Sequence, residues 1–452
     1  MTSSRITLAF SLLFLANFVR GNEFYITLVN EKITVPGFMY RVVDIVDARE
    51  QTYCIGMVQR GMGNKKVAAF FKAGMKAEFG YLFGNSFGVD ASNKPVVLRI
   101  NKLQVYEITT SNREMGIVEL NISLLEKENE QYIEIFETGV TVERTTMMDV
   151  TSSHDKNIAQ ALQNCLVEFV DREYRGLTYR RAATANYIYP ILQEGAALKP
   201  GIFRTFNDFR DNTAQENPAY PYTLEINDKN KSGIVRASPK WKGNPPVGEI
   251  WGLSDGQFAY INLGSGFFRL TKEGDAFVLY GPSPRDGTGA VILGAAMGGI
   301  IGGLIAGAVS GGYSSRDMTK YKIDLSTGAM VPFEEPAYRR IESRLILFCS
   351  GFNDKESRIT ITVNNQPVGD MPPGTYHRLR LPPPEKPVEI CVNIPGGEKV
   401  CETVTPELFK TTVALLRIRK GKAEIGWPGG DIRSNLLNDI KTGQYKPLQA
   451  EK

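Results

Sequence analysis

Hydrophobic and polar positions alternate along most of this chain, with a period of two more often than 3.6. VVDIVDARE (42–50) sets Val43 and Ile45 against Asp44, and YCIGMVQR (53–60) follows as a second apolar run; both predict strands. Val67, Phe71, Met75, Phe79 and Leu82 then recur at i, i+4 and i+3 intervals, which predicts a core-facing helix opened by Lys65 and Lys66. Three strands are expected next. VVLRINKLQVYEI (96–108) is long and predicts a bulge. GIVELNISLLE (116–126) sets Leu120, Ile122 and Leu124 against Glu119, Asn121 and Ser123, and YIEIFETGVTV (132–142) sets Ile133 and Ile135 against Glu134. Such alternation predicts an antiparallel sheet with one wet face. A helix starts near Ser153, with the stripe Ile158, Leu162, Cys165, Leu166 and Phe169; Cys165 reads as a core residue.

After a connection over 176–190, Pro200-Gly201 marks a turn. Phe203, Phe206 and Phe209 recur every three residues beside Asn207, Asp208 and Arg210, which are expected to be exposed. Residues 248–281 are rich in short strands, with hairpin signals at Asp255-Gly256 and Gly274-Asp275. YKIDLSTGAMVPF (321–333) repeats strand, turn and strand around Thr327-Gly328.

Between these runs the alternation stops. Residues 290–309, AVILGAAMGGIIGGLIAGAV, carry no polar side chain. As a helix they would span about 30 Å, a bilayer's hydrocarbon thickness. Gly294, Gly298 and Gly302 form one row at four-residue spacing; Gly299, Gly303 and Gly307 form a second beside it. This small-xxx-small pattern favours close helix contact in lipid. In water, six glycines would cost a helix about 6 kcal/mol against alanine, although a buried Gly/Ala-rich helix or a collapsed loop is the alternative. Arg285 and Asp286 precede the run, and Arg316, Lys320 and Lys322 follow it. The positive-inside rule therefore predicts a single crossing with the C-terminal side in the cytoplasm. Strands of one β-domain on both sides would instead have to lie on the same side.

Residues 340–420 are β-rich: RLILFCSG (344–351), RITITVNNQPVGDM (358–371) with a turn at Asn364-Asn365, then VEICVNIPGGEKVCETV and TTVALLRIRKG. Cys391 and Cys401 flank Pro395-Gly396-Gly397 and would face each other across a hairpin, either as a disulfide or as two reduced core cysteines. A disulfide would place this region outside the cytoplasm and conflict with a single crossing. The polar tail predicts a helix over Ile432–Ile440 and a disordered end.

The expected fold class is α+β: a mixed α/β sandwich over 22–175, a β-rich module over 198–335 containing the apolar glycine-rich helix 290–309, a small β-sandwich over 340–420, and a polar tail over 421–452. Residues 1–21 read as a signal peptide: Arg5 precedes the apolar run Ile6–Phe18, and Val19-Arg20-Gly21 permits cleavage before Asn22.

VVDIVDARE, Ile55-Gly56, an amphipathic helix and VLRINKLQVYE together resemble envelope domains of the auxiliary lipoproteins of lipid-transporting ABC systems and the N-terminal domain of TolB. That resemblance implies a periplasmic helper that binds protein or lipid and is no enzyme. No cysteine follows the apolar leader, so the lipoprotein anchor is not carried over. PGIFRTFNDF, IWGLSDGQFAYIN, FVLYGP, the apolar insert and YKIDLSTGAM together resemble a module of Gram-negative envelope proteins, and Pro367-Val368-Gly369 before a Pro-rich loop resembles PEGA-type β-sandwiches, which bind surfaces or proteins.

A net charge of +4, with no long basic run, argues against a nucleic-acid partner. The two histidines, His154 and His377, fall in different regions, which argues against a histidine triad or a multi-histidine metal site. His154 is expected to be solvated at a helix start. Asp44 and Asp47 read as a solvated strand edge, and the glycine-rich run lacks the GK[ST] of a phosphate loop. No catalytic residue, cofactor or metal is expected. The reading is a membrane-associated envelope protein that binds or scaffolds, with membrane lipid, protein partners or its own copies as partners. The alternative is an auxiliary subunit of a lipid-transport or efflux assembly, holding an apolar ligand between the helix Val67–Leu82 and its sheet.

Overall fold

A computed structural model describes residues 23–61, 63–87, 93–109, 114–129, 131–146, 149–183, 188–215, 221–227, 235–243, 250–263, 266–282, 318–333, 340–350, 359–381, 383, 386–394, 398–419 and 422–448. The signal peptide 1–21 and the glycine-rich run 290–309 lie outside the described residues. The chain is a β-rich α+β protein of several sheets and divides into two compact units, residues 1–339 and 340–452.

The first unit begins with β1 (Glu23–Ile26), β2 (Tyr40–Asp47), β3 (Gly56–Arg60) and β4 (Lys65–Phe71), then helix α1 (Met75–Ser86). β5 (Lys94–Thr109), β6 (Glu114–Glu128) and β7 (Gln131–Thr146) follow, then α2 (His154–Tyr174) and the short β8 (Arg181–Ala182). They form one eight-stranded sheet in the order β1-β4-β3-β5-β6-β7-β8, with β2 paired to β5. The expected bulge in β5 lies between Ile100 and Lys102. Apolar positions of one face join α1 and α2 in a single core that includes Phe79, Leu82, Ile122, Leu162, Cys165 and Phe169.

Two expectations fail here. Lys65–Phe71 is a strand, and the helix starts only after Gly74, whose φ of 83° no L-residue adopts readily. The helix expected over Val67–Leu82 therefore begins only at Met75 and runs to Ser86. The space assigned to an apolar ligand there is core: the Phe71 and Phe79 rings meet edge to face at 5.8 Å. Nor is the second face of the sheet wet. Glu119, Asn121 and Ser123 are all buried, because a later part of the chain covers them.

That later part is β9 (Gly201–Phe203), helix α3 (Phe206–Arg210), β10 (Tyr222–Asn227), β11 (Arg236–Trp241), β12 (Gly252–Ser254), β13 (Ala259–Asn262), β14 (Phe267–Glu273), β15 (Ala276–Pro282), β16 (Met318–Ile323) and β17 (Met330–Pro332). Its nine-stranded sheet runs β17-β16-β15-β14-β13-β12-β9, with the β10–β11 hairpin joined to β14. The hairpins expected at Asp255-Gly256 and Gly274-Asp275 connect β12 to β13 and β14 to β15. Phe203, Phe206 and Phe209 enter a core around Trp251, on which Phe209 stacks at 4.7 Å. Asn207, Asp208 and Arg210 are buried, against expectation, because α3 is wedged beside the first sheet.

β15 and β16 are antiparallel neighbours: Tyr280 pairs with Lys320 and Pro282 with Met318. A single crossing would put Pro282 and Met318 on opposite sides of a bilayer. Their pairing overturns the single-pass topology expected from the flanking charges.

The second unit comprises β18 (Ser343–Cys349), β19 (Ile359–Val363), β20 (Gln366–Met371), β21 (Thr375–Leu381), β22 (Val388–Asn393), β23 (Val400–Val404), β24 (Thr411–Arg419), β25 (Lys422–Gly426), helix α4 (Gly430–Lys441) and β26 (Lys446–Pro447). A five-stranded sheet, β25-β24-β18-β21-β26, shares a core with a four-stranded sheet, β20-β19-β22-β23, through Leu345, Leu347, Ile361, Ile390 and Leu416. The tail is not a loose end through Leu448: β26 pairs with β21, and Leu436 of α4 packs with Phe348 and Tyr376 on the outer face of the larger sheet.

Candidate functional site

The six glycines Gly294, Gly298, Gly299, Gly302, Gly303 and Gly307 lie outside the described residues. What the structure describes is the base from which their segment leaves, and that base is fastened to the first sheet by buried charge.

The fastening starts from alternation. On β5, β6 and β7, alternate residues face away from the α-helices and carry Arg99, Asn101, Glu119, Asn121, Ser123 and Glu137, and a register shift opposite Leu124 and Leu125 brings Glu134 to the same face. Arg99 donates to Ser123 Oγ and Asn101 Oδ1 and pairs with Glu134. Asn101 donates to Asn121 Oδ1 and Ser123 Oγ, both at 2.8 Å. Lys102 Nζ sits 2.7 Å from Glu119 Oε2 and 2.7 Å from Asp324 Oδ2, so one ammonium bridges the sheet and the β16–β17 turn. Asn121 Nδ2 donates to the Ser326 carbonyl of that turn at 2.6 Å. At the other end, Arg181 pairs with both Glu134 and Glu137, and Tyr179 and Tyr189 donate to those same two carboxylates.

Arg210, fully buried on α3, closes the network by donating to the Glu137 carbonyl at 2.8 Å and pairing with Asp211 at 3.0 Å. Burial opposes its charge, but Asp211 and Glu137 outweigh it and hold the guanidinium above its ordinary range. Burying such groups is tolerable only when each is paired. Each carboxylate here faces a cation or a hydroxyl. The arrangement is therefore a polar seam that fixes two layers in register.

A second cluster lies where α2 ends. Arg175 donates to Asp208 at 2.8 Å and Arg172 pairs with Asp211 at 2.8 Å. Asp208 and Thr205 form a capping box on α3, with Thr205 N donating to Asp208 Oδ2 at 3.0 Å. Glu168, buried beside them, has its pKa pushed up to about 7, first by burial and then by the Asp208 charge.

His154 does start a helix, as expected, but it is not solvated. It is 1% exposed, and its Nε2 lies 2.8 Å from Glu107 Oε1. Glu107 Oε2 in turn accepts from the Gln59 backbone N–H at 2.5 Å. The alternating β5 pattern hides this pair, since Glu107 follows the apolar Val105 and Tyr106. His377 lies on β21 in the other unit. Asp44 pairs with Lys76, and Asp47 binds Arg49 through two bonds of 2.8 Å, so the two acids face separate cations. Cys165 is a core residue, its thiol pushed up by burial.

Cys391 and Cys401 are direct cross-strand partners of β22 and β23 and are joined as a disulfide. Cys401 is exposed, so the pair is not two reduced core cysteines. Glu389 lies beside them, but oxidised sulfurs offer no thiolate to a metal.

No protein-family model, curated protein or solved structure matches this chain. No helix among the described residues is long and apolar enough to cross a membrane.

Proposed function

We propose that this is a non-enzymatic, membrane-associated binding or scaffold protein of a Gram-negative cell envelope, exported across the inner membrane. Its glycine-rich segment anchors it or joins it to a second copy. One observation carries the reading: a twenty-residue apolar run with two glycine rows is inserted between strands that pair with each other, Tyr280 opposite Lys320. The chain leaves the sheet and returns to it on one side. Two full crossings need about 40 residues, more than the segment 283–317 holds. The segment therefore docks onto lipid or onto its own copy without carrying the chain across. Small residues at four-residue spacing suit either contact, because they let backbones approach. The buried seam supports the reading by making the base rigid. The Cys391–Cys401 disulfide supports export, since such bonds persist in oxidising compartments.

The test is the full chain carrying Gly298→Ile and Gly302→Ile, mixed with lipid vesicles. The native chain is expected to float with vesicles and to cross-link to its own copies, and the variant to lose cross-linking. Equal cross-linking by both would contradict the role given to the glycine rows.

A further inference from the structure

The outer face of the larger sheet in the second unit changes character along its strands. Register sets Tyr376, Phe348 and Leu415 side by side, then Arg378, Ile346 and Val413, then Arg380, Arg344 and Thr411. Helix α4 covers the aromatic end and stops short of the arginine end. Between them is a cavity of about 370 Å³, lined by Arg340, Arg344, Arg378 and Arg380, by Ile346 beside them on the sheet, and by Leu437 and Ile440 of α4.

Its lining is basic. Among the described residues, Glu342 lies 3.1 Å from Arg344 Nε and 3.9 Å from both Arg340 and Arg380. None of the residues lining the cavity is acidic. Arg344 and Arg380 are directly opposite on paired strands, a placement that costs stability when both carry the same charge. Arg344 and Arg380 share Glu342, and Arg378 lies over the Tyr376 ring at 5.0 Å, so this face can meet a multiply charged anion, which the planar guanidinium fork binds through paired hydrogen bonds. The α4 side is apolar, and its Leu437 and Ile440 are only half-buried. The volume falls at the lower end of small-ligand pockets.

We propose that this cavity binds a phosphate-bearing amphiphile. The phosphate sits on Arg344, Arg378 and Arg380, and the apolar chain runs along Ile346, Leu437 and Ile440 toward the end of α4. The site is built from residues other than the glycine-rich segment, and its test does not depend on whether that segment meets a membrane.

The test is calorimetric titration of the full chain with dodecyl phosphate below its micelle concentration, alongside inorganic phosphate and neutral dodecyl maltoside. Saturable binding of dodecyl phosphate, tighter than either control, is expected. Arg378→Gln with Arg380→Gln is expected to weaken it roughly tenfold or more. Both side chains are exposed, and Arg380 opposes Arg344, so the ligand-free melting temperature of this variant should hold or rise. Binding of inorganic phosphate as tight as that of dodecyl phosphate would overturn the amphiphile, leaving an adventitious ion only. Equal binding of the maltoside would overturn the phosphate. Unchanged binding by the variant would overturn the site.

Discussion

Gly139 of β7 lies against the Ser326 carbonyl so closely that a Cβ at position 139 would stand 1.8 Å from the oxygen. Residues far apart in sequence thus meet backbone to backbone, at the point where the β16–β17 turn seats on the first sheet. Gly139→Ala should push the turn away and disturb the Lys102–Asp324 and Asn121–Ser326 bonds beside it. A loss of about 2–3 kcal/mol is expected, the cost of overpacking against rigid backbone. Chemical denaturation of the two proteins checks it, and equal midpoints would show that the turn is loosely seated.

Gly80 and Gly84 give the opposite case. Both lie inside α1, both are exposed, and a Cβ at either meets nothing within 4 Å. Replacing both with alanine should stabilise the protein by about 1–2 kcal/mol, since each glycine weakens a helix interior by about 0.5–1 kcal/mol. A lowered melting temperature would mean that α1 is not helical there.

Glu168 carries a pH dependence of unusual sign. Its native pKa of about 7 lies above the ordinary 4.5, so the native state holds a proton that the unfolded chain has released. Stability from this group therefore falls as pH rises from about 4.5 to about 7, by up to ~3 kcal/mol. Glu168→Gln should flatten that slope and leave the protein more stable than the native chain at pH 8. Arg172, Arg175, Asp171 and Asp208 act on the same carboxyl, so unfolding free energies are to be compared across pH 5–8 in both proteins. An unchanged slope would place the dependence on another group.

The Cys391–Cys401 bond closes a short loop between β22 and β23. Its removal, by reduction or by replacing both cysteines with serine, should cost about 2–3 kcal/mol. Cys54, Cys165 and Cys349 are buried free thiols. Native protein in a non-reducing buffer should therefore resist alkylation at all five positions. Alkylation of Cys401 before reduction, read by mass spectrometry, would contradict the disulfide.

Alternation made much of the β-structure legible, including the β5 bulge and the hairpins at Asp255-Gly256 and Gly274-Asp275. It failed where it had to say what lies opposite a face. Glu119, Asn121 and Ser123 alternate as a wet face would, yet residues 324–326, some two hundred positions later, bury them. Only their counterparts could have hinted at this: Lys102, Arg99, Arg181 and Arg210 supply the matching charge but are scattered along the chain. Helical spacing misled at Val67–Leu82 because Val67 and Phe71 also share one face of a strand, and Gly74 restarts the pattern as a helix. The arginine-lined cavity was invisible for a related reason. Arg344, Arg378 and Arg380 are isolated in the sequence, and strand register alone sets them side by side.

The pairing of β15 with β16 returns the chain to the side from which residues 283–317 depart. Tyr280 and Phe333 are both exposed and lie on either side of that segment. Each is changed to cysteine singly, and spheroplasts are treated with a membrane-impermeant maleimide before and after lysis. Pairing of β15 with β16 requires both positions to label in the same step, and the proposed export puts that step before lysis. Labelling of one position before lysis and of the other only after it would contradict a return to the same side.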